Sequence, residues 1–170
     1  MPHDTANRTA KPTVSAPPNN VPGPALVPVD DLLCFSVYAA SHAFTRVYKP
    51  LLDAIGLTYP QYLVMVALWE KDDQTVGGIG EKLALESSTL TPLLKRLEAL
   101  GLVSRSRDPA DERVVRVRLT DQGQALRAQA RKIPECILAA TGLDLADAVR
   151  LQKDVTALRD ALLKAAPRKP

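Results

Sequence analysis

The chain is 170 residues long, 46% hydrophobic, and carries a formal charge of only +3 at pH 7. That length and composition suit one core of ordinary size in a single domain, and the small net charge is no argument for nucleic acid by itself. No run of about 18 apolar residues suits a membrane span, and the start lacks the basic and then apolar pattern of a signal peptide, so a cytoplasmic protein without membrane contact is expected.

Seven of the fourteen prolines lie between Met1 and Pro28, among Asn, Thr and Ser. Such a segment cannot bury enough surface to offset its ordering entropy, which predicts a disordered tail over 1–28. Order is predicted from Val29, with Asp30 or Asp31 capping a helix whose apolar positions Leu33, Val37, Ala40, Phe44, Val47 and Leu51 recur at threes and fours. Pro50 should kink this helix and Gly56 should end it. Thr58 and Gln61 have capping-box spacing before a second helix, with Tyr62, Leu63, Val66 and Trp69 on or near its buried face and an end near Lys71. Thr75 should start a short third helix through Ile79, Leu83 and Leu85.

A fourth helix follows. Ser87 or Ser88 is a natural N-cap, Leu90, Leu93, Leu94, Leu97 and Leu100 recur at helical spacing, Pro92 falls near the first turn, and Gly101 is a natural stop. The short helix, tight polar connection and second helix together read as a helix-turn-helix. The period then drops to two. Leu102–Arg107 and Val114–Leu119 read as paired strands around a polar turn, Asp108–Arg113. From Lys95 to Arg118, seven basic residues face four acidic ones (Glu98, Asp108, Asp111, Glu112). A hydroxyl-rich helix start beside an arginine-bearing hairpin suits one helix in a major groove and a hairpin tip on the backbone or minor groove. The competing reading is an ordinary hairpin with solvated charges. Thr120 should cap the next helix, with Pro134 a kink beyond it. Asp144 should cap a last helix whose stripe Leu145, Val149, Gln152, Val155, Leu158 and Leu162 faces either the core or a second copy.

All seven aromatic residues (Phe35, Tyr38, Phe44, Tyr48, Tyr59, Tyr62, Trp69) lie just after Cys34. A phenol hydroxyl can donate to a thiolate in an apolar pocket. Cys34 should lie in the first turn of its helix, where the free N–H groups favour a thiolate while Asp30 and Asp31 oppose it. Tyr48 is fourteen residues on, on nearly the same helical face but about 21 Å along the axis, so it can help Cys34 only from a second subunit. A small cysteine buried among core aromatics is the alternative. The other cysteine, Cys136, is a hundred residues away, and neither His3 nor His42 has metal-ligand spacing, so no structural disulfide framework, metal or cofactor is expected.

The stretch LTPLLKRLEALGLVSRSRDPADERVVRVRLTDQG, with its Asp111-Glu112-Arg113 tip and Leu119-Thr120 step, resembles the MarR family of bacterial winged-helix regulators. LLCFSVYAASHAFTRVYKPLLDAIGLTYPQYLVMVALWE is similar to a narrower branch, the organic hydroperoxide resistance repressors, over about residues 30–165. The resemblance implies a mainly α fold with a small β-wing: a winged helix-turn-helix in an intertwined homodimer. The DNA-binding part would span about 58–120, and the dimerisation part about 29–56 and 121–166. It also implies that Cys34 is a peroxide sensor, that Tyr48 and Tyr59 of the other subunit hydrogen-bond it with Phe35 and Tyr38 nearby, and that Cys136 is its intersubunit disulfide partner.

The combined reading is a transcriptional repressor, not an enzyme, that holds a palindromic operator on double-stranded DNA and is released by an organic hydroperoxide. Ser87, Ser88, Thr89, Thr91, Lys95 and Arg96 would face the major groove, with Arg105, Arg107, Asp111 and Arg113 serving from the hairpin. A regulator released by a small phenolic or aromatic ligand is the first alternative. The second, a thiol peroxidase, needs a polar, cation-lined thiolate site, whereas Leu32, Leu33, Phe35 and Val37 surround Cys34 in sequence.

Overall fold

The computed structural model describes residues 26–166, which fall into two compact units, one ending at Val37 and one starting at Tyr38. Of the predicted tail, all but Leu26–Pro28 lies outside the described residues. In the first unit Val29–Asp31 form a 3-10 turn, and helix α1 (Leu33–Asp53) starts just beyond it. The Leu32 carbonyl takes the first helical bonds, from the N–H groups of Phe35 (3.0 Å) and Ser36 (3.1 Å). Leu32 therefore occupies the capping position expected for Asp30 or Asp31.

The second unit carries the rest of α1, which runs through Pro50, and then α2 (Tyr59–Glu70), β1 (Gln74–Thr75), α3 (Val76–Leu83) and α4 (Ser87–Ala99). These are followed by β2 (Val103–Arg107), β3 (Val115–Leu119), α5 (Asp121–Ala130), α6 (Ile133–Thr141) and α7 (Leu145–Ala165). Short polar side chains start most of these helices, because each satisfies an N–H that the first turn leaves unpaired. The Thr75, Thr120 and Asp144 side chains accept from the N–H groups of Gly78 (3.0 Å), Gly123 (3.0 Å) and Asp147 (2.8 Å). At α2 the Thr58 N–H donates to Gln61 Oε1 at 2.8 Å, closing the predicted box.

Three local expectations change. The N-cap of α4 is Glu86, whose carbonyl takes the Thr89 and Leu90 N–H groups at 2.9 Å each, so Ser87 and Ser88 are already helical. Pro134 does not kink a continuous helix; it stands in the first turn of a separate one, α6, where its missing N–H costs nothing. On α2, Val66 is exposed and Leu63 only half-buried, while Gln61, Tyr62, Val64, Met65, Ala67 and Leu68 are buried. This helix is covered on more than one side, so no single amphipathic stripe marks its inner face.

The sheet is antiparallel in the order β1-β3-β2, pairing Thr75 with Arg116 and Arg105 with Val117. Its third strand, β1, is two residues long, too short to leave an alternation in the sequence. The core gathers Met65 and Leu68 of α2, Ile79 of α3, Leu90, Leu94 and Leu97 of α4, and Val117 of β3, all 0–1% exposed. Leu52, Leu57, Leu126, Ile133 and Ile137 extend it. No residue of α7 is buried: Leu145, Val149, Leu151, Val155, Leu162 and Leu163 all face outward.

Candidate functional site

Helices α3 and α4 are joined by Ala84-Leu85-Glu86, with Ala84 in the left-handed region at φ 52°. The turn closes where the Leu85 N–H meets the Gly80 carbonyl at 2.9 Å. A side chain at Gly80 would come within 2.9 Å of the Leu85 carbonyl, so glycine permits the approach. The result is a helix-turn-helix with the polar start of α4 outward: Ser87, Ser88, Thr89, Lys95 and Arg96 are exposed, and Thr91 is half-buried.

The β2–β3 hairpin is the wing. Its tip is folded by its own aspartates: Asp108 Oδ1 accepts the Ala110 N–H at 2.9 Å, and Asp111 Oδ1 accepts the Arg113 N–H at 3.0 Å. Asp111 thus shapes the loop that presents Arg113. Ser87 and Thr91 of α4, with Arg105 and Arg113 of the hairpin, line one groove of about 480 Å³, so the helix start and the wing open onto common space.

The hairpin arginines differ sharply in what they touch. Arg105 is bound to Glu98 of α4 through Nε (2.9 Å), its terminal nitrogen (2.5 Å) and its backbone N–H (3.1 Å). Arg116 reaches Asp73 Oδ1 at 2.7 Å and Asp108 Oδ2 at 3.1 Å, and Arg118 reaches Asp73 Oδ1 at 3.1 Å. Arg107 donates to the Glu112 carbonyl at 3.3 Å. Among the described residues, Lys95, Arg96 and Arg113 have no such protein partner. Counting charge along the sequence therefore overstates what the wing can offer an anion. Hydrogen bonds from the arginines hold the Asp73 and Glu98 carboxyls below the usual carboxylate range. Asp108 is lowered first by the Ala110 N–H and then by Arg116. Sequence reasoning missed Asp73 and Glu98 as partners because nothing local ties either to an arginine.

The tyrosines form a cluster. The Tyr48 ring lies 4.7 Å from Tyr59 and 6.0 Å from Tyr62, and Tyr62 lies 6.4 Å from Trp69. Burial, and then the neighbouring Tyr59 and Tyr62, push the Tyr48 hydroxyl up to about 12. Burial also raises Tyr59. Both phenols therefore stay protonated, and so stay donors, at any physiological pH. They line a cavity of about 210 Å³ with Thr45, Lys49 and Leu57. Tyr38 meets His42 edge-on at 4.3 Å, and Phe35 is half-buried near the start of α1. Cys34, in the first turn of α1, and Cys136, in α6, are exposed free thiols, so neither is the buried apolar cysteine that a core role would need.

Comparison with known proteins gives one consistent result. Residues 46–129 match the family described as transcriptional regulator SarA/Rot. Over 134 residues, 79% of the chain, it is 48% identical to the HTH-type transcriptional regulator TtmR of Methylorubrum extorquens (strain PA1), covering 69% of that protein. Over an equal length it is 43% identical to the organic hydroperoxide resistance transcriptional regulator of Bacillus subtilis (strain 168), covering 91% of it. Among solved structures, AbfR of Staphylococcus epidermidis superposes with a TM-score of 0.67 at 38% identity, over 78% of this chain and 91% of that one. AbfR has been solved reduced on DNA, overoxidized on DNA, and with a disulfide formed. A helix-turn-helix with its polar start exposed, a wing beside it and these relatives make one case: the chain belongs to the SarA/MarR-type family of winged-helix transcriptional regulators.

Proposed function

We propose that the protein is a homodimeric, cytoplasmic repressor that holds a palindromic operator when reduced and leaves it when an organic hydroperoxide oxidises Cys34. The observation that carries this reading is the Tyr48–Tyr59 pair, 4.7 Å apart and held protonated. Two fixed phenol donors suit a thiolate. On α1, fourteen residues separate Tyr48 from Cys34, so the thiolate they serve belongs to a second copy of the chain. The outward apolar stripe of α7 supports such a pairing, because a regulator that stays monomeric has no use for six large uncovered side chains on one helix.

The chemistry balances without a cofactor. The Cys34 thiolate attacks the terminal oxygen of the hydroperoxide, the O–O bond breaks, and the peroxide leaves as an alcohol once it takes a proton. The sulfur, oxidised by two electrons, is left as a sulfenic acid. The Cys136 thiol of the second copy then attacks that sulfur, forming the S–S bond and releasing water. Two palindromic half-sites would each receive one α4 helix, with Ser87, Ser88, Thr89 and Thr91 at base edges or phosphates, Lys95 and Arg96 on phosphates, and Arg113 in the minor groove. The test is release: DNA selected by the reduced protein from random duplexes should be palindromic, and cumene hydroperoxide should dissociate it while dithiothreitol restores it. Non-palindromic selected sites, or DNA that stays bound after peroxide, would refute the reading.

Two variants probe its parts. Arg113→Ala should weaken operator binding by about 1–3 kcal/mol, roughly 5- to 150-fold, without lowering the melting temperature, since Arg113 lies at an exposed turn. Unchanged affinity would remove the wing from DNA. Tyr48→Phe should leave fold and affinity intact but slow oxidation of Cys34, because it removes one donor and no ring. Oxidation at the native rate would leave Tyr48 with a packing role alone.

A further inference from the structure

The two edges of the wing are held in different ways. On the β3 side, β1 pairs with the hairpin, and the Asp72 carboxylate accepts the Leu119 N–H at 2.9 Å. The other edge, β2, has no neighbouring strand among the described residues, and an edge strand presents N–H groups that the sheet does not pair. At Arg105 that N–H is taken by Oε1 of Glu98 at 3.1 Å, while Oε2 takes Nε and a terminal nitrogen of the same residue at 2.9 and 2.5 Å. One carboxylate thus fixes both the backbone and the side chain of one strand residue. Among the described residues, no other side-chain hydrogen bond or ion pair joins β2 to α4.

Thr91, Leu94 and Glu98 are spaced by three and four residues on one face of α4, and Thr91 and Leu94 line the same groove as Arg105 and Arg113. The Glu98–Arg105 pair therefore ties the helix wall of that groove to its hairpin wall. Beyond the pair the hairpin is one piece. The ladder continues to Arg107 and Val115, the Asp108 N–H meets the Val114 carbonyl at 2.8 Å, and Asp111 holds the Arg113 N–H. Arg113 lies four residues from Val117, the partner of Arg105, which is at most about 13 Å along the strand.

We propose that Glu98 is a positioning residue for DNA binding: it holds the free edge of the wing against α4, so that Arg113 and the start of α4 reach the duplex at one fixed spacing. Two contacts carried on a rigid body reinforce each other, because the second engages at high effective concentration once the first is made. A wing free to swing on its base must be ordered at each binding event, which subtracts from affinity. Glu98 acts through Arg113 without touching DNA, and the lowered Glu98 carboxyl agrees with a tight hold on Arg105. This role rests on α4 and the wing tip being the DNA-facing surface. Simple electrostatics predicts the opposite effect: a carboxylate beside phosphates repels them, so its removal alone should tighten binding.

The test is a double-mutant cycle on the full-length reduced protein, with the duplex that the native chain selects from random sequence. Glu98→Ala should bind that duplex several-fold more weakly, but lose less than Arg113→Ala, whose own loss is about 5- to 150-fold. In the double variant the Glu98 penalty should vanish, leaving the affinity of Arg113→Ala alone. Glu98→Gln keeps one acceptor oxygen on the same stem and should show the same pattern at smaller size, so a low melting temperature in the alanine variant does not block the test. Native or tighter binding in both Glu98 variants would overturn the proposal. So would penalties that add, since a residue that only stabilises the fold, or meets DNA by itself, has no reason to depend on Arg113. A silent Arg113→Ala would instead show that the wing tip is not on DNA, and the DNA-facing surface would fail together with this role.

Discussion

Cys34→Ser protein is expected to bind operator DNA as tightly as the native chain and to remain bound when organic hydroperoxide is added. Serine matches the thiol closely in size, and Cys34 is exposed in the first turn of α1 rather than packed in the core, so neither fold nor affinity depends on the sulfur. A hydroxyl cannot be oxidised to a sulfenic acid, so the sensing step is lost outright. Coupling free energies of 1–3 kcal/mol are typical, so native protein should lose about 5- to 150-fold in affinity on oxidation and the variant none. Cys136→Ser should behave differently. The sulfenic acid still forms, but with no partner thiol it persists, is oxidised further or condenses with an external thiol. Non-reducing gels of oxidised native protein should show a cross-linked dimer that either substitution abolishes. If peroxide still releases Cys34→Ser from DNA, the trigger is not this thiol, and a regulator released by a small phenolic or aromatic ligand becomes the better account.

The largest effect on stability should come from Gly123→Ala. Gly123 sits in the first turn of α5, and a Cβ there would lie 2.0 Å from the Leu102 carbonyl oxygen and 3.0 Å from its carbon. That oxygen cannot retreat freely, because it accepts the Thr120 N–H at 3.1 Å where β3 hands over to α5. The Gly123 carbonyl is also held, by Trp69 Nε1 at 2.9 Å. Backbone on both sides must move, which puts the cost at the upper end of overpacking, about 3 kcal/mol, or a fall in Tm of roughly 6–12 °C. Gly77→Ala, in α3 with nothing within 4 Å of the new methyl, is the matched control and should be neutral or stabilising by up to about 1 kcal/mol. Calorimetry showing both variants within a degree or two of native protein would mean that α5 does not press on the start of β2 as closely as described.

Much of the fold was legible because its signals are local. The capping residues Thr58, Thr75, Thr120 and Asp144 all begin helices: the last three side chains each accept an N–H only three residues along the chain, and the Thr58 N–H donates to the Gln61 side chain at the same spacing. The change from helical spacing in α4 to alternation in β2 and β3 marks the winged helix for the same reason. Where local signals compete, the sequence misled. Ser87 has a cap's chemistry, but Glu86 holds the capping position, because the backbone turn at Ala84 and Leu85 decides where the helix begins.

What the sequence by itself determined is the order of the elements, the hydroxyl-rich start of α4, the arginine at a polar turn, and a cysteine followed by tyrosines. All of these are matters of spacing along one chain. Only the tertiary structure decided which charges are available and which rings meet. Asp73 lies forty-three residues before Arg116 and Trp69 fifty-four before Gly123, and no periodicity reports a hydrogen bond across such distances. The same holds for Tyr48 and Tyr59, which belong to different helices yet meet with ring centroids 4.7 Å apart. Packing brings such groups together, and their electrostatics, a protonated phenol or a neutralised arginine, follow from that proximity rather than from residue identity.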